Sequence, residues 1–392
     1  MQYRFDKYGN KISTLGFGCM RFTTNAGRID INKAKSEIKA AFDGGVNYYD
    51  TAYIYPGSEA AVGRIFEELG IRDSIYIATK LPHYLIRKPE DFDRIFNEEL
   101  ERLRTDHIDY YLIHMLNDPG AWNRVCEMGI KDWIKGKKEE GKIRQVGFSY
   151  HGNSDMFCSL IDAYDWEFCQ IQYNYMDEHS QAGITGLKYA AEKGLPIIIM
   201  EPLRGGRLAN KLPYEAVELM NSYPVKRNPA AWGFRWLWNQ PEITCVLSGM
   251  NSLEMVEDNI KTASEINPGD ITEDEFAVYE KVVDIINKNT KVPCTGCRYC
   301  MPCPRGVNIP GIFSSYNNIC SQGMFVGVKE YVMCNVIRNR YTGISNCIGC
   351  GKCEQHCPQN IEIRKKLREA SKVFENLPLK LVYKVIPKIV KY

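Results

Sequence analysis

Ile108-Asp109-Tyr110-Tyr111-Leu112-Ile113-His114 is a near-continuous apolar run that ends on an imidazole. A short apolar run without a polar side reads as a strand buried on both faces, the kind found in parallel sheets covered by helices. Similar runs recur on either side, each followed by a helical pattern. Upstream, 14–18 precedes a helix from about Asn32, 46–49 one from Ser58, and 74–79 one from Pro89. Downstream, the run at 108–113 is followed by a helix through Trp133 to Glu140, 143–148 by one around Met156 to Tyr164, and 168–172 by one from Gly183 to Lys193. The runs at 196–200 and 244–247 precede helical material over 214–239 and 252–262.

Eight such strand–helix units are what a closed parallel barrel requires, so the fold class is α/β, a (β/α)8 TIM barrel. An open doubly wound sheet would want Gly-x-Gly-x-x-Gly after its first strand, and Gly16-Phe17-Gly18-Cys19-Met20-Arg21 does not supply it. Ahead of the first unit, Tyr3–Phe5 and Lys11–Ser13 flank the turn-forming set Tyr8-Gly9-Asn10. That is a hairpin, placed to plug one end of a barrel.

Near the C-terminus two cysteine runs answer each other. The first is Cys294-Thr295-Gly296-Cys297-Arg298-Tyr299-Cys300-Met301-Pro302-Cys303-Pro304 and the second is Cys347-Ile348-Gly349-Cys350-Gly351-Lys352-Cys353-Glu354-Gln355-His356-Cys357-Pro358. The second is C-x2-C-x2-C-x3-C-P, the bacterial ferredoxin pattern, in which three close thiolates hold one [4Fe-4S] cluster and the Cys-Pro cysteine reaches across to the other. Cys294, Cys297, Cys300 and Cys357 are thus assigned to one cluster, and Cys347, Cys350, Cys353 and Cys303 to the second. Two residues rather than three precede Cys303, which keeps Cys320 open as its substitute. Zinc sites draw ligands from separated pairs, and disulfides between such near neighbours would be strained, so neither accounts for the triple repeat. The 43 residues from Pro304 to Asn346, rich in helix formers around 316–336, point to an all-helical ferredoxin-like arrangement. The expected division is a barrel over 1–270, a helical connector over 271–290, the iron–sulfur domain over 291–375 and a tail over 376–392.

A barrel of this kind builds its active site at the C-terminal ends of its strands. There the sequence sets Asp50 and Tyr55 after the second strand, Lys80 after the third and His114 after the fourth. Each alone has an ordinary structural explanation. Together, at equivalent strand ends, an acid, a phenol, an amine and an imidazole make a proton-transfer site.

Through Asp50-Thr51-Ala52-x-x-Tyr55, Ala78-Thr79-Lys80 and Asp109-Tyr110-Tyr111-Leu112-Ile113-His114, followed in order by Gly147-Phe148-Ser149, Gln170-x-x-Tyr173-Asn174 and Glu201-Pro202-Leu203, the chain resembles the aldo-keto reductase family over about residues 1–265. The resemblance implies that Tyr55 is the general acid protonating a carbonyl during hydride delivery, that Lys80 lowers its pKa, that Asp50 fixes the lysine and that His114 orients the carbonyl. A free phenol titrates near 10, and a neighbouring ammonium favours its ionised form. It further implies that Ser149 and Gln170 meet the nicotinamide carboxamide, with Glu201, Ser248, Gly249 and Asn259 along the rest of the dinucleotide. Three positions depart from the family. Tyr150 follows the serine where an asparagine is usual, Met200 stands where a tyrosine stacks under the nicotinamide, and Met255 replaces the arginine that grips the 2'-phosphate. A methionine offers no bidentate fork to a phosphate, which leaves NADPH, NADH and flavin all open. For flavin, Arg204-Gly205-Gly206-Arg207 after the seventh strand is a candidate anion grip.

The expected function is an oxidoreductase reducing a carbonyl in the barrel, with electrons passing through two [4Fe-4S] clusters. The alternatives are a flavin- or ferredoxin-linked reductase using the tetrad for proton transfer alone, and an electron carrier or redox sensor without catalysis. Lys and Arg number 50 against 48 Asp and Glu, a net charge of +2 that argues against nucleic acid as a partner. The expected partners are a small-molecule substrate and a ferredoxin or other redox protein. Cys19, Cys126, Cys158, Cys169, Cys245, Cys320 and Cys334 read as reduced thiols. With no secretory signal and no transmembrane run, that suits a cytoplasmic protein. The tail from Leu377 interleaves lysines with apolar residues and, broken by Pro378 and Pro387, is expected to pack back on the protein. The loops Asn117–Gly120 and Asn210–Pro213 are expected to shape the substrate pocket.

Overall fold

The computed structural model describes residues 1–116, 119–152, 154–336 and 341–376. The tail from Leu377, and Asn117 and Asp118 of the loop after the fourth barrel strand, lie outside the described residues. The chain divides into two compact units, 1–202 with 230–272, and 203–229 with the chain from 273 onward.

The first unit opens with the hairpin β1 (Tyr3–Phe5) and β2 (Lys11–Ser13), paired antiparallel. It enters the barrel at β3 (Leu15–Gly18). A small excursion, β4 (Thr24–Asn25) and β5 (Arg28–Ile29), precedes α1 (Ile31–Asp43), whose N-cap Asp30 accepts from the Lys33 backbone N–H at 3.1 Å. The alternation continues through β6 (Tyr48–Asp50), α2 (Ser58–Leu69), β7 (Tyr76–Leu81), α3 (Glu90–Leu103) and β8 (Ile108–Ile113). A pair of helices, α4 (Pro119–Glu127) and α5 (Ile130–Glu139), leads to β9 (Ile143–Tyr150). The single helix expected here breaks at Gly129, whose φ of +87° is a left-handed conformation that glycine adopts without strain. Then come α6 (Ser154–Asp162), β10 (Phe168–Gln172), α7 (Gly183–Glu192) and β11 (Ile197–Met200). After the segment 203–229, which carries α8 (Arg207–Asn210) and α9 (Tyr214–Ser222), the unit resumes with α10 (Pro229–Trp238), β12 (Ile243–Ser248) and α11 (Leu253–Glu265).

The eight barrel strands pair in sequence order, each parallel to the next, and β12 closes on β3. Their inward side chains form a packed core of Tyr48, Ala78, Tyr110, Leu112, Phe168, Ile198, Cys245 and Leu247, joined by Ile12 from the hairpin. Tyr110 meets Tyr48 and Phe168 edge-on, with centroids 5.0 and 5.1 Å away. This filling leaves no room at Gly16, where a Cβ would come within 2.7 Å of the Cys245 sulfur.

The hairpin closes the N-terminal end of the barrel, and one carboxylate fastens it. Asp6 accepts the backbone N–H groups of Tyr8 at 2.9 Å and Asn10 at 2.8 Å, the Tyr110 hydroxyl at 2.6 Å and the Gln145 amide. Burial works to raise the Asp6 pKa, yet the hydrogen bonds outweigh it and the carboxyl is held below the usual range. Asp6→Ala would strand the Tyr110 hydroxyl and the Gln145 amide in the barrel floor. We expect a loss of about 3 kcal/mol, read as a lowered denaturant midpoint with unchanged slope; a midpoint unchanged within error would contradict this role.

The second unit has no strand among its described residues. The helix α12 (Glu273–Lys288) packs on α9, α13 (Ile309–Gln322) on α14 (Met324–Tyr331), and α16 (Ile363–Phe374) on α13, with the short α15 (Lys352–Gln355) beside α16. Arg227 pairs with Glu275 at 2.5 Å, and the Arg204 guanidinium donates to the Pro293 carbonyl at 3.4 Å, tying 203–229 to this unit. Its core includes Val307, Ile312, Phe313, Tyr331, Leu367 and Phe374, with Tyr331 and Phe374 stacked at 4.4 Å. Cys294, Cys300, Cys303, Cys347, Cys353 and Cys357 pack around this core.

Candidate functional site

On the first unit, β6 ends at Asp50 and β7 carries Lys80 one residue before its end. Adjacent parallel strands therefore bring the two side chains together. Lys80 Nζ lies 2.5 Å from Asp50 Oδ1 and 2.6 Å from the Thr51 carbonyl, and both charged side chains are shut from solvent, at 1% and 6% exposure. A buried ion pair persists only when its remaining lone pairs and protons are also satisfied. Gln170, from β10, meets this need by donating its amide to Asp50 Oδ2 at 2.9 Å.

Tyr55 stands in the turn between β6 and α2, where its backbone N–H bonds to the Ala52 carbonyl at 2.9 Å. Its ring lies over the lysine, with Lys80 Nζ 5.4 Å from the centroid, and is half-buried. His114 meets it edge-on, at 6.2 Å between centroids and 85° between planes. His114 follows β8 directly, with its backbone N–H on the Leu81 carbonyl at 2.9 Å. The four residues predicted from separate strand ends thus form one constellation.

His114 is buried, and burial first, then the Lys80 charge and the neighbouring His151 and His83, hold its pKa well below the ordinary 6.5. Both the missing hydration and the nearby ammonium disfavour the imidazolium. The ring is accordingly neutral at pH 7, a hydrogen-bonding group and not a proton store. The pH profile of kcat/KM should show no inflection near 6.5 from His114. An inflection there that His114→Gln abolishes would contradict this.

The residues implied for a nicotinamide are arranged around the same strand ends. Ser149, near the end of β9, accepts the Met115 backbone N–H at 2.9 Å, and Met115 itself sits at φ +54°. Gln170 keeps its amide oxygen without a partner among the described residues, so it fits a role as acceptor for a carboxamide. Asn259 of α11 donates to the Ser248 hydroxyl at 3.0 Å, both side chains being buried, so these two brace the end of β12. Met255 is exposed in the first turn of α11, where its N–H is capped by Ser252 at 3.2 Å. Arg21, overlooked in the sequence, lies over Gly249, with its Cβ 3.3 Å from where a Gly249 Cβ would stand, and it pairs with Glu201 at 3.4 Å. Its position after the first strand carried no motif that could have flagged it. Arg204 and Gly205 belong to the segment that packs with the cysteine module, beside Arg207 and Cys294.

In the second unit Cys294, Cys297, Cys300 and Cys357 line a single cavity with Thr295, Phe313, Pro358 and Ile361. Three thiols of the first run and the Cys-Pro thiol of the second therefore meet, which is the crossing that the motifs predicted for one cluster. Burial, then mutual repulsion among these thiolates, pushes Cys300 up to about 12. Burial likewise raises Cys294 to about 11, with Cys297 and Cys357 adding to it. Four thiols lining one cavity are the donor set of a thiolate-bound cluster. Cys353, raised to about 11 by burial and Glu354, feels Cys347 in the same way. None of the described cysteines forms a disulfide.

Residues 14–282 match the model of the aldo/keto reductase family, and residues 293–362 match that of a 4Fe-4S dicluster domain. Among known proteins, L-galactose dehydrogenase of Arabidopsis thaliana is 26% identical over 72% of this chain and 94% of its own length. An aldo-keto reductase of a Mycobacterium species is 28% identical over 69% of the chain and 86% of its own. Among solved structures, an aldo-keto reductase of Bacillus halodurans superposes with a TM-score of 0.59 at 24% identity, covering 72% of this chain and 96% of the other. One from Klebsiella pneumoniae, in complex with NADPH, gives 0.59 at 21% identity over 72% and 95%. At these identities the structural likeness speaks to the barrel fold. No described helix is long and apolar enough to cross a membrane.

Proposed function

The chain belongs to the aldo/keto reductase family and carries a 4Fe-4S dicluster domain behind its barrel, and from that premise we propose that it reduces a small carbonyl substrate at Tyr55, with electrons also passing through two clusters in the helical unit. The observation that carries this reading is the buried Lys80–Asp50 pair under the Tyr55 ring.

Tyr55 gives its phenolic proton to the carbonyl oxygen. The phenolate left behind is stabilised by the Lys80 ammonium, which Asp50, the Thr51 carbonyl and, through Asp50, Gln170 hold in place. Positioned proton transfer of this kind contributes roughly 10²–10⁴-fold to a rate. His114, neutral and packed against Tyr55, orients the carbonyl by hydrogen bonding. A bound nicotinamide supplies the hydride. Ser149 and Gln170 are the residues that would hold its carboxamide, and Glu201, Ser248, Gly249 and Asn259 would border the rest of the dinucleotide.

The NADPH in the Klebsiella pneumoniae complex belongs to that protein; here Met255 offers a 2'-phosphate no charge, so NADPH gains nothing over NADH. Arg204 and Gly205, the residues considered for a flavin phosphate, belong to the segment 203–229; a flavin held there would turn hydride into the single electrons that clusters carry.

The clusters supply single-electron steps. Cys294, Cys297, Cys300 and Cys357 would hold one, and Cys347, Cys350, Cys353 and Cys303 the other. Cys303, on the same core rim as Cys347 and Cys353, is favoured over Cys320 of α13. Such exchange suits a soluble redox protein as partner and a cytoplasmic setting. The direct test is anaerobic assay of the purified protein with small aldehydes and ketones. We expect NADH to be oxidised in step with alcohol formed and NADPH to serve no better; no carbonyl-dependent oxidation of either would overturn the reading.

A further inference from the structure

Charge is divided unevenly along this chain. Residues 1–290 hold 34 Lys and Arg against 43 Asp and Glu, whereas residues 291–376 hold 12 against 5. Thiolate-bound clusters would offset part of that positive excess in the interior, but they leave the surface cations as they are.

Those cations are placed around the second cysteine run. On α16 the residues Ile363, Leu367, Ala370 and Phe374 are buried, and Arg364, Arg368 and Lys372, spaced four apart, form an exposed stripe on the other side. The stripe begins at the cysteine loop, where the Arg364 guanidinium donates to the Gly349 carbonyl at 3.5 Å and bonds Glu354 at 2.8 Å. Lys365 and Lys366 are neutralised by Glu362 and Glu369, at 2.7 and 2.8 Å. Lys352, Arg368 and Lys372 have no acidic partner at ion-pair distance among the described residues, and all three are exposed. Within the cysteine loop Ile348 is 64% exposed, and Cys350 is the one exposed cysteine among those described.

We propose that the loop Ile348–Cys350, flanked by the unpaired cations Lys352, Arg368 and Lys372, is the docking surface for a small acidic one-electron carrier protein. An exposed apolar residue at the centre of a charged rim is the layout of weak, fast redox encounters, in which charge steers association and little area is buried. The patch surrounds a site for a redox group, which gives an electron carrier a reason to approach that a nucleic acid or a membrane lacks. One electron crosses in each encounter. The donor is oxidised by one and the acceptor reduced by one, with no bond made and no proton moved.

This inference rests on the second cysteine run holding a cluster, so iron content and the low-temperature electron paramagnetic resonance signal are measured alongside and report on that reading separately. The experiment follows stopped-flow oxidation of the dithionite-reduced holoprotein by an acidic blue-copper protein and, in parallel, by a basic c-type cytochrome. The acidic carrier's second-order rate should fall about tenfold between ~20 and ~200 mM salt, as screening shortens the reach of the patch. Arg368→Glu with Lys372→Glu should lower that rate about tenfold at low salt, raise the rate for the cytochrome and leave iron content unchanged. Lys135→Glu, an exposed lysine on α5, should change neither. Salt-independent rates with the acidic carrier, or reversal variants that weaken binding to anionic vesicles while electron transfer stays the same, would overturn the assignment.

Discussion

Tyr55→Phe is expected to lower kcat for carbonyl reduction by roughly 10²–10⁴-fold, with little change in nicotinamide affinity and none in iron content. The change removes one hydroxyl and keeps the ring that packs against Lys80 and His114, so the constellation stays assembled and only the proton is lost. Lys80 cannot take over. Its ammonium is committed to Asp50 and the Thr51 carbonyl, and His114, whose pKa is held well below the ordinary value, carries no imidazolium proton to give. A variant that keeps more than about a third of wild-type kcat would remove Tyr55 from the mechanism and leave the barrel without an evident acid.

The second large effect concerns the crossing of the cysteine runs. Cys357→Ala changes a residue in the second motif, yet its thiol lines the cavity of Cys294, Cys297 and Cys300. The expected result is loss of the cluster held by the first motif, with iron falling from about eight to about four per chain. Cys350→Ala should remove the other cluster. If Cys357→Ala and Cys350→Ala abolish the same paramagnetic signal, each motif holds its own cluster and the crossing is wrong. Cys357→Ala opens the helical unit near its core, so circular dichroism of its apo form should accompany the iron analysis.

The barrel was legible because buried parallel strands announce themselves as apolar runs. Ile108–Ile113 and Phe168–Gln172 came out with their predicted bounds, whereas the strand read over 46–49 formed at Tyr48–Asp50. There the ladder to β7 starts only where Tyr48 meets Tyr76, a tertiary pairing that local pattern does not encode. The catalytic candidates were legible for a related reason. Strand ends in a closed barrel are forced to one face, so Asp50, Lys80 and His114 had to converge once the strands were correct.

The segment 203–229 was harder. Read locally, Arg204-Gly205-Gly206-Arg207 is a basic loop after the seventh strand. Its partners, Pro293 for Arg204 and Glu275 for Arg227, lie 89 and 48 residues away, and no periodicity reports such contacts. Arg21 escaped for the same reason, since its neighbours Gly249 and Glu201 come from the far end of the barrel's sequence.

The central claim is that a hydride site in the barrel and two one-electron centres form a single redox system. Anaerobic titration of the protein with NADH, and separately NADPH, recorded optically and by electron paramagnetic resonance, tests it most directly. Hydride reaches one-electron centres only through a two-to-one electron converter such as a flavin; with one bound, two clusters together accept the two electrons of one nicotinamide, and we expect reduced-cluster signals that grow to completion at about one equivalent and fade when carbonyl substrate is added. Clusters that stay oxidised while nicotinamide and carbonyl are consumed would contradict it, and would leave the barrel working alone.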